Sequence, residues 1–411
     1  MTEERRVVVT GIGPVTPVGT GRPAFWDALT SGRSGIGEVT QFDASEFPVR
    51  IAGEVKDFEP EAWMDRKAVR RTDRVVHLAV AAAKLAWEDA GNPQIDPARA
   101  AVVVSTGVGG LKYMEDQVRI LASRGPDRIS AFTVPAMMPN AASGTIAMEL
   151  GFTGPNACIT TACAAGAHGV GEAYRYIKHG MADLAVAGGT EAGITPLALA
   201  AFAQMQALSR NPDPGRASRP FDADRDGFVI SEAAGILILE EEQRARERGA
   251  TIYAEVAGYG TSADAFHITQ PEPQGAGAVI AMQMALADAG EDAEAVDYIN
   301  AHGTSTPLND AAETRAIKKA LGDHAHRIAV SSTKSMTGHM VGAAGAAEAA
   351  VAALAAHDGV IPPTINYETP DPECDLDYVP NEARKTEVRL ALSNAFGFGG
   401  QNAVLALRRA G

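Results

Sequence analysis

Short runs of β-branched and other apolar residues alternate along the chain with longer, alanine-rich runs. The short runs, bounded by glycine or polar residues, predict buried strands, and the long runs predict helices. The predicted strands are Arg6–Thr10, Ala101–Ser105, Leu184–Ala187, Gly235–Leu239, Ala254–Ala257, Tyr298–Ala301, Ile328–Ser331, Val388–Ser393 and Ala403–Leu407. The predicted helices are Val75–Ala90, Ala164–His179, Ala276–Ala289, Ala311–Leu321 and Ala343–His357. This alternation predicts an α/β protein.

The sequence also contains a weak internal repeat. Cys163-Ala-Ala-Gly-Ala begins one predicted helix and Gly342-Ala-Ala-Gly-Ala begins another. In each half a strand, a glycine-rich turn and an apolar helix recur in similar order, so we expect two related halves that join near Glu247–Thr251. Helices with so many alanines and glycines and so few charges make poor surface helices. We therefore expect them in a middle layer between two sheets.

Length and charge restrict the class of protein. The chain has 411 residues, which suits about two domains of ordinary size. Its formal net charge of −15 argues against general binding to nucleic acid or to an anionic membrane surface. The longest stretch of low charge, around Val341 to Ala356, contains Glu348 and predicts a buried helix rather than a membrane span.

The cysteines and the N-terminus indicate a compartment. Three cysteines occur, at positions 158, 163 and 374, without the spacing of a disulfide framework. Residues 1–6 lead directly into Val7 and leave no room for the apolar core of a signal peptide. Both features predict a protein of the reducing cytoplasm.

Cys163 is the candidate nucleophile. It lies in Thr160-Thr-Ala-Cys-Ala-Ala-Gly-Ala, and the predicted helix begins immediately after it. The free N–H groups and the positive end of the dipole at a helix N-terminus stabilise a thiolate, so we expect the pKa of this thiol to be lowered. A buried, inert cysteine is the commoner alternative for a single cysteine considered alone. Cys158 and Cys374 lack the placement, and we expect both to be structural.

Two histidines lie in glycine-flanked turns. His302 follows a predicted strand in the run Tyr298-Ile-Asn-Ala-His-Gly-Thr-Ser-Thr-Pro, where α/β folds expose their sites. His339 precedes the helix that matches the one after Cys163. If a pseudo-twofold axis relates the halves, the two helix N-termini converge. We then expect Cys163 and His339 to approach each other.

A glycine-rich run, Ser393-Asn-Ala-Phe-Gly-Phe-Gly-Gly-Gln-Asn, lies near the C-terminus. Glycines at this density let backbone N–H groups approach a ligand, as an oxyanion hole requires. The alternative is a simple hairpin between two strands.

Three similarities to other sites are weak. Asp222-Ala-Asp-Arg-Asp-Gly resembles a calcium loop, but the twelfth position is Ala233 instead of glutamate. Val8-Val-Thr-Gly-Ile-Gly resembles the start of a dinucleotide-binding motif, but Thr16 replaces the third glycine. The candidate cysteine and the two histidines lack the spacing of a zinc site.

Together these motifs resemble those of the β-ketoacyl-[acyl carrier protein] synthases, most closely the synthase II type. The likeness covers essentially the whole chain. It is carried by Arg6-Val-Val-Val-Thr-Gly, Arg219-Pro-Phe-Asp-Ala-Asp-Arg-Asp-Gly-Phe, the run around His302, Ser332-Thr-Lys-Ser-Met-Thr-Gly-His and Asn394-Ala-Phe-Gly-Phe-Gly-Gly. It implies the thiolase fold, an α/β fold of duplicated halves stacked in five layers, αβαβα. The half with Cys163 would span residues 1–250, and the half with both histidines residues 251–411.

The resemblance implies an acyltransferase of fatty acid elongation. Cys163 would accept an acyl chain from acyl carrier protein. Malonyl-acyl carrier protein would then lose CO2 and attack that chain, a decarboxylative Claisen condensation that gives 3-oxoacyl-acyl carrier protein. His302 and His339 would stabilise the enolate, and the N–H groups of Cys163 and Phe398 would form the oxyanion hole. The enzyme itself would bind no cofactor, because phosphopantetheine arrives on the carrier protein.

The resemblance also assigns supporting roles. Lys334 would pair with Glu348, Asn394 would support the site, and Phe398 would act as a gate. Substrate-binding positions would be Thr304 and Thr306, which hydrogen-bond the phosphopantetheine, with Gly399, Val108 and Phe202; residues 132–138 would line the acyl pocket across a homodimer. No metal is expected, except that some relatives hold a monovalent cation at the positions of Asn300, Glu348, Ser393 and Asn394.

Carrier protein is acidic in this family, so a basic surface is expected. The dense basic segment Arg66-Lys-Ala-Val-Arg-Arg-Thr-Asp-Arg is unusual in so acidic a chain. The candidate docking residues are Lys67, Arg70, Arg71, Arg124, Arg128 and Arg210. A solvated helix face is the alternative.

The chain departs from the family pattern at a few positions. Ser231 and Ala233 stand where glycines are common, and Gln401 stands where threonine is common. These departures leave open a ketosynthase of a type II polyketide pathway with the same chemistry. A non-catalytic chain-length partner is disfavoured because Cys163 is present, and a degradative thiolase because the C-terminal glycine-rich turn has no second cysteine.

Overall fold

The computed structural model describes residues 5–411. Residues 1–4, part of the segment that precedes Val7, lie outside them. The main strands are β1 (Val7–Thr16), β2 (Ala100–Ser105), β3 (Asn156–Ala157), β4 (Leu184–Glu191), β5 (Ala233–Glu241), β6 (Ala254–Ala263), β7 (Tyr298–Asn300), β8 (Ala329–Ser331), β9 (Leu390–Gly397) and β10 (Gln401–Arg408). Short strands lie at Gly19–Thr20, Ile36–Glu38, Ile51–Gly53, Val360–Ile361 and Arg384–Lys385.

Within the described residues, seven helices have ten residues or more. They are α1 (Arg74–Asp89), α2 (Leu111–Arg124), α3 (Ala141–Leu150), α4 (Ala165–Lys178), α5 (Ala276–Ala289), α6 (Pro307–Leu321) and α7 (Ala344–Asp358). Shorter helices lie at Arg22–Thr30, Arg66–Val69, Thr133–Met137, Pro196–Gln204, Glu242–Glu247 and Lys334–Thr337. Within residues 5–411, no helix is both long enough and apolar enough to cross a membrane.

The two halves have the same strand topology. In the first half the strand order is β1-β5-β4-β2-β3, and in the second it is β6-β10-β9-β7-β8. The first three strands in each order, β1-β5-β4 and β6-β10-β9, pair antiparallel. The remaining two strands of each order pair parallel. Antiparallel pairing of β1 with β6 joins the halves. The internal repeat of the sequence is therefore a repeat of structure.

Helices α4 and α7 form the middle layer. Both contact strands of both halves, and they contact each other. Every residue from Ala344 to Ala356 is buried. Helices α1 and α3 cover the outer face of the first half, and α5 covers that of the second, with α6 packed beside it. The five-layer αβαβα fold implied by the family resemblance is confirmed, and the alanine-rich helices form its middle layer as expected.

Glycines let the middle helices pack closely. A Cβ on Gly166 of α4 would lie 2.8 Å from the nitrogen of Ala346, and one on Gly345 of α7 would lie 2.7 Å from that of Ala167. Any larger side chain at either position would push the helices apart. This contact fixes the starts of α4 and α7, where the candidate site lies.

Candidate active site

Cys163, His302 and His339 line one cavity of about 300 Å³. Cys163 comes from the start of α4 in the first half, and the histidines come from two loops of the second half. Phe398, in the glycine-rich turn between β9 and β10, lines the same cavity. The structure thus brings four distant predicted residues together where the two halves meet.

The turn that holds Cys163 is strained and tightly enclosed. Cys163 lies in a single 3-10 turn directly before α4, and the preceding residue, Ala162, has a φ of 49°. Left-handed backbone is uncommon for a residue other than glycine. A Cβ on Gly397 would lie 2.5 Å from the carbonyl oxygen of Thr161, so only glycine fits where β9 passes the nucleophile.

The prediction of a lowered pKa for Cys163 is wrong. Burial raises the pKa of the thiol to about 11. The backbone N–H of Phe398, the charge of Lys334 and the N–H of Cys163 itself lower the pKa, whereas the carboxylate of Glu191 raises it. The helix end is present, but desolvation of the anion outweighs it. Cys163 is therefore a protonated thiol at neutral pH before substrate binds.

The two imidazoles lie edge to face. Their ring centroids are 5.4 Å apart, with an interplanar angle of 85°. Burial lowers the pKa of both His302 and His339 well below the usual value, and the charge of Lys334 lowers it further. Both rings are therefore neutral at pH 7, and each can donate one N–H.

Glu313 of α6 positions the loop of His302. Its two carboxylate oxygens accept hydrogen bonds from the N–H groups of His302 (2.8 Å) and Gly303 (2.7 Å). The amide of Asn394, on β9, donates to the same carboxylate at 3.1 Å. Sequence reasoning missed Glu313. No sequence signal distinguished it, because α6 also carries other charged residues, among them Asp310 and Arg315.

His339 is held by a segment of the first half. Its N–H donates to the carbonyl of Val229 (2.7 Å), and its carbonyl accepts from the N–H of Ser231 (2.9 Å). The hydroxyl of Ser231 donates to the carbonyl of Thr337 at 2.6 Å. The serine that departs from the family pattern thus adds a hydrogen bond that restrains the His339 turn.

Lys334 and Glu348 form an ion pair in the interior, and each side chain is 1% exposed. Burial raises the pKa of Glu348 to about 7, while the charge of Lys334 lowers it. Because Glu348 lies on α7 and Lys334 begins the short helix before His339, the pair ties this helix to the middle layer.

Four buried oxygen atoms, one at each expected cation position, have no hydrogen-bond partner. They are Asn300 Oδ1, Glu348 Oε2, Ser393 Oγ and Asn394 Oδ1. Asn300 and Ser393 lie opposite each other in the pairing of β7 with β9. Buried acceptors without donors are costly. A set made only of oxygen donors fits a hard monovalent cation, and all four expected positions contribute one atom.

The remaining substrate-binding candidates divide into two groups. Thr304, Thr306 and Phe202 line the cavity, and the two threonine hydroxyls are 2.9 Å apart. Val108 is 51% exposed in the single chain and lies outside the cavity lining, and Gly399 is likewise outside it. Gly399 has a φ of 88°, and its N–H donates to the carbonyl of Ile268.

All six candidate docking residues are exposed: Lys67, Arg70, Arg71, Arg124, Arg128 and Arg210. The guanidinium of Arg71 lies 4.5 Å from the ring centroid of Phe132. Phe132 is itself exposed and belongs to the segment expected across a dimer. The basic segment is therefore next to that segment.

Comparison with known proteins identifies the family. Models of the β-ketoacyl synthase N-terminal and C-terminal domains match residues 4–245 and 253–368. The 3-oxoacyl-[acyl-carrier-protein] synthase 2 of Synechocystis sp. is 54% identical, and that of Coxiella burnetii is 50% identical, each over 99% of both chains. The structure of a type II polyketide ketosynthase in complex with its acyl-carrier protein has a TM-score of 0.92 at 36% identity over all of both chains. The chain belongs to the β-ketoacyl synthase family.

Proposed function

We propose that the chain is a 3-oxoacyl-[acyl carrier protein] synthase that extends fatty acyl chains by decarboxylative condensation. The observation that carries this proposal is the cavity lined by a cysteine at a helix start and two neutral histidines. The relatives at 54% and 50% identity bear the name of this activity.

In the first half-reaction, the sulfur of Cys163 attacks the thioester carbonyl of an acyl-carrier protein. The thiol proton passes to the departing phosphopantetheine thiolate, and an acyl-enzyme remains. The N–H groups of Cys163 and Phe398, which both interact with the sulfur, are the donors for the developing oxyanion. A protonated thiol suits this exchange because the leaving thiolate needs the proton.

In the second half-reaction, malonyl-carrier protein loses CO2 and the electron pair of the broken bond forms an enolate. One N–H from each of His302 and His339 stabilises the enolate oxygen. The enolate carbon then attacks the acyl group, and the Cys163 thiolate leaves and takes a proton from solvent. Lys334 acts as a positioning residue through its pair with Glu348.

The cavity mouth accommodates the arm that delivers substrate. The hydroxyls of Thr304 and Thr306 supply hydrogen bonds for the amides of phosphopantetheine. Phe398 lies beside two glycines with left-handed backbone, Gly399 and Gly400, which give its turn the freedom that a gate requires. Phe202 lines the acyl end, Val108 is a second lining position of the same chain, and residues 132–138 complete the pocket from the other chain of a homodimer.

A monovalent cation among Asn300, Glu348, Ser393 and Asn394 would satisfy the four unpartnered oxygens. When bound, it would supply structural charge compensation and no reactive group. The chain's own part is to hold β7, β9 and α7 together at that point.

Acidic carrier protein docks on the basic surface formed by Lys67, Arg70, Arg71, Arg124, Arg128 and Arg210, all of which are exposed. Complementary charge raises the rate of encounter and orients the partner. A neighbouring structure that includes an acyl-carrier protein supports a partner of this class.

A homodimer accounts for an apolar surface that a single chain leaves bare. The exposed side chains are Met114, Val118, Leu121, Phe132, Val134, Met137 and Met138. The first three lie on one face of α2. Large contiguous apolar surfaces mark interfaces. Light scattering should give twice the mass of 42.8 kDa, and Val118→Glu with Leu121→Glu should reduce it to one chain.

Two further assignments belong to the same proposal. The halves divide at residues 250 and 251, between the helix Glu242–Glu247 and β6. The protein acts in the cytoplasm, where the free thiols of its three cysteines remain reduced.

The experiment is incubation with acyl- and malonyl-carrier protein over a series of acyl chain lengths. Equimolar release of CO2 and 3-oxoacyl-carrier protein is expected, and Cys163→Ala should abolish condensation while leaving the fold intact. Turnover of ordinary saturated acyl chains supports fatty acid elongation, and the higher identity of the fatty-acid relatives favours it. Turnover only of poly-3-oxoacyl chains would replace that pathway by the polyketide one, which the neighbouring ketosynthase represents.

A further inference from the structure

The two helix starts of the middle layer have matching backbones but different chemistry. Cys163 corresponds to Gly342 in the internal repeat, and the preceding residues, Ala162 and Val341, have φ values of 49° and 44°. Each begins a single 3-10 turn that continues into α4 or α7. The second half therefore contains a copy of the nucleophile turn with glycine in place of cysteine.

The strands that face these turns carry the reverse pair of residues: a glycine faces the turn of Cys163, and a glutamate faces the turn of Gly342. β4 and β9 occupy equivalent positions in the two halves, and both have eight residues, ending at Glu191 and Gly397. Gly397 lies against the carbonyl oxygen of Thr161 and the backbone N–H of Cys163, where a Cβ would collide with the nucleophile turn. Glu191 projects its carboxylate at the start of α7, against Gly342.

The Glu191 carboxylate is fully enclosed and connects three segments. One oxygen accepts from the N–H of Gly107 (2.7 Å) and from that of Gly342 (3.2 Å). The other accepts from the hydroxyl of Thr106 (2.9 Å). Thr106 and Gly107 follow β2 in the first half, whereas Gly342 lies three residues after His339. An acceptor at a helix N-terminus is stabilised by free N–H groups and by the dipole.

We propose that Glu191 is a positioning residue for the condensation. Its carboxylate occupies, in the second half, the place that the Cys163 thiol occupies in the first, and it thereby fixes the turn of His339 relative to the nucleophile. The expected effect of Glu191 on turnover rests on the proposed function. Its expected effect on the pKa of Cys163 does not.

The carboxylate also acts on the thiol through space. The charge of Glu191 raises the pKa of Cys163 and the charge of Lys334 lowers it, while His302 and His339, the other titratable groups that share its cavity, are neutral because burial lowers their pKa. Burial raises the pKa of Glu191 itself to about 7, while hydrogen bonds from Thr106 and from the backbone N–H groups of Gly107, Gly342 and Gly109 lower it. A purely structural carboxylate at a distance from the nucleophile would not change how the thiol titrates.

The test compares Glu191→Gln with Glu240→Gln. Glu240 is a buried carboxylate on β5, and it lies opposite Leu184 at the other end of β4 in the strand pairing. It therefore controls for the loss of a buried charge in the same sheet. The rate of alkylation of Cys163 by iodoacetamide is measured against pH, and condensation is measured with carrier-protein substrates. Alkylation needs no substrate, so its result stands whether or not the proposed function fails.

Glu191→Gln should move the alkylation midpoint toward lower pH by roughly one unit. It should lower kcat for condensation at least ~10-fold, with little change in KM, while Glu240→Gln leaves the midpoint in place. An unchanged or higher midpoint in folded Glu191→Gln would overturn the proposal. If that variant does not fold, Glu191→Asp decides the matter: it keeps the charge but is too short to reach Gly342. Its midpoint should remain and its kcat should fall, and an undiminished kcat would overturn the proposal.

Discussion

The reacting side chains take their charge states from burial. Burial raises the pKa of Cys163 to about 11, and it lowers the pKa of His302 and His339 well below the usual range. A neutral imidazole donates a hydrogen bond to an enolate without being acidic enough to give up its proton readily. An imidazolium would protonate the enolate carbon and release an unextended acetyl group. Neutral rings therefore favour condensation over simple decarboxylation.

The pH dependence of malonyl decarboxylation tests these charge states. Because the folded pKa of each histidine is depressed, the neutral rings persist as pH falls through ~6.5 and become charged only at lower pH. The decarboxylation rate of a malonyl-pantetheine analogue should stay level between about pH 7 and about pH 6. A fall with a midpoint near the usual histidine value would contradict this assignment.

The buried ion pair offers a second test among single residues. Lys334→Met removes the partner of a carboxylate in the interior, and should lower the free energy of unfolding by ~3–5 kcal/mol. Asp27→Asn removes an exposed ion pair with Arg33 and should cost at most ~1 kcal/mol. Denaturant titration measures both. The double variant Lys334→Met with Glu348→Gln should recover much of the loss, and similar costs for the two single variants would contradict the account.

Among the helices, amino-acid composition predicted burial better than it predicted helix formation. Alanine and glycine without charge marked α4 and α7 as middle-layer helices, and both lie there. Helix α2 was missed although its apolar residues Met114, Val118 and Leu121 recur at helical spacing. In the folded chain these residues are exposed and do not pack on the core. Strand β3 was missed because two residues give no periodic pattern.

Substitutions at two helical glycines distinguish the effect of close helix packing on stability from the effect of helix propensity. Gly345→Ala places a methyl group 2.7 Å from the nitrogen of Ala167, and should lower the free energy of unfolding by ~1–3 kcal/mol. Gly144→Ala, inside α3, meets nothing within 4 Å and should raise it by up to ~1 kcal/mol. Thermal and denaturant unfolding measure both. Equal effects in the same direction would show that helix contact does not limit the middle layer.

In the whole molecule, duplication places the site. The repeated strand order brings the starts of α4 and α7 together, so a motif in residues 160–167 meets loops of the second half in one cavity. The sequence predicted this because the repeat and the loop motifs are local patterns. It did not predict Glu313 or Glu191, because their roles depend on hydrogen bonds formed only in the folded chain. Glu191, for example, bonds to Gly342, 151 positions away.

The basic surface makes a prediction about association. Arg70→Glu with Arg71→Glu should raise KM for carrier-protein substrates at least ~10-fold, and should leave the reaction with pantetheine analogues unchanged, since these lack the acidic protein. Arg327→Glu with Lys385→Glu makes the same charge change at two other exposed positions. Initial rates at constant ionic strength measure both. Equal losses with both kinds of substrate, or in both variants, would exclude a docking role.

The location of the acyl group after reaction with acyl-carrier protein tests the central claim most directly. The protein is incubated with acyl-carrier protein alone, and intact mass followed by peptide mapping locates the added acyl group. The account predicts one acyl group per chain, on Cys163, which malonyl-carrier protein then removes as 3-oxoacyl product. An acyl group on Cys158 or Cys374, or none on the folded protein, would contradict it.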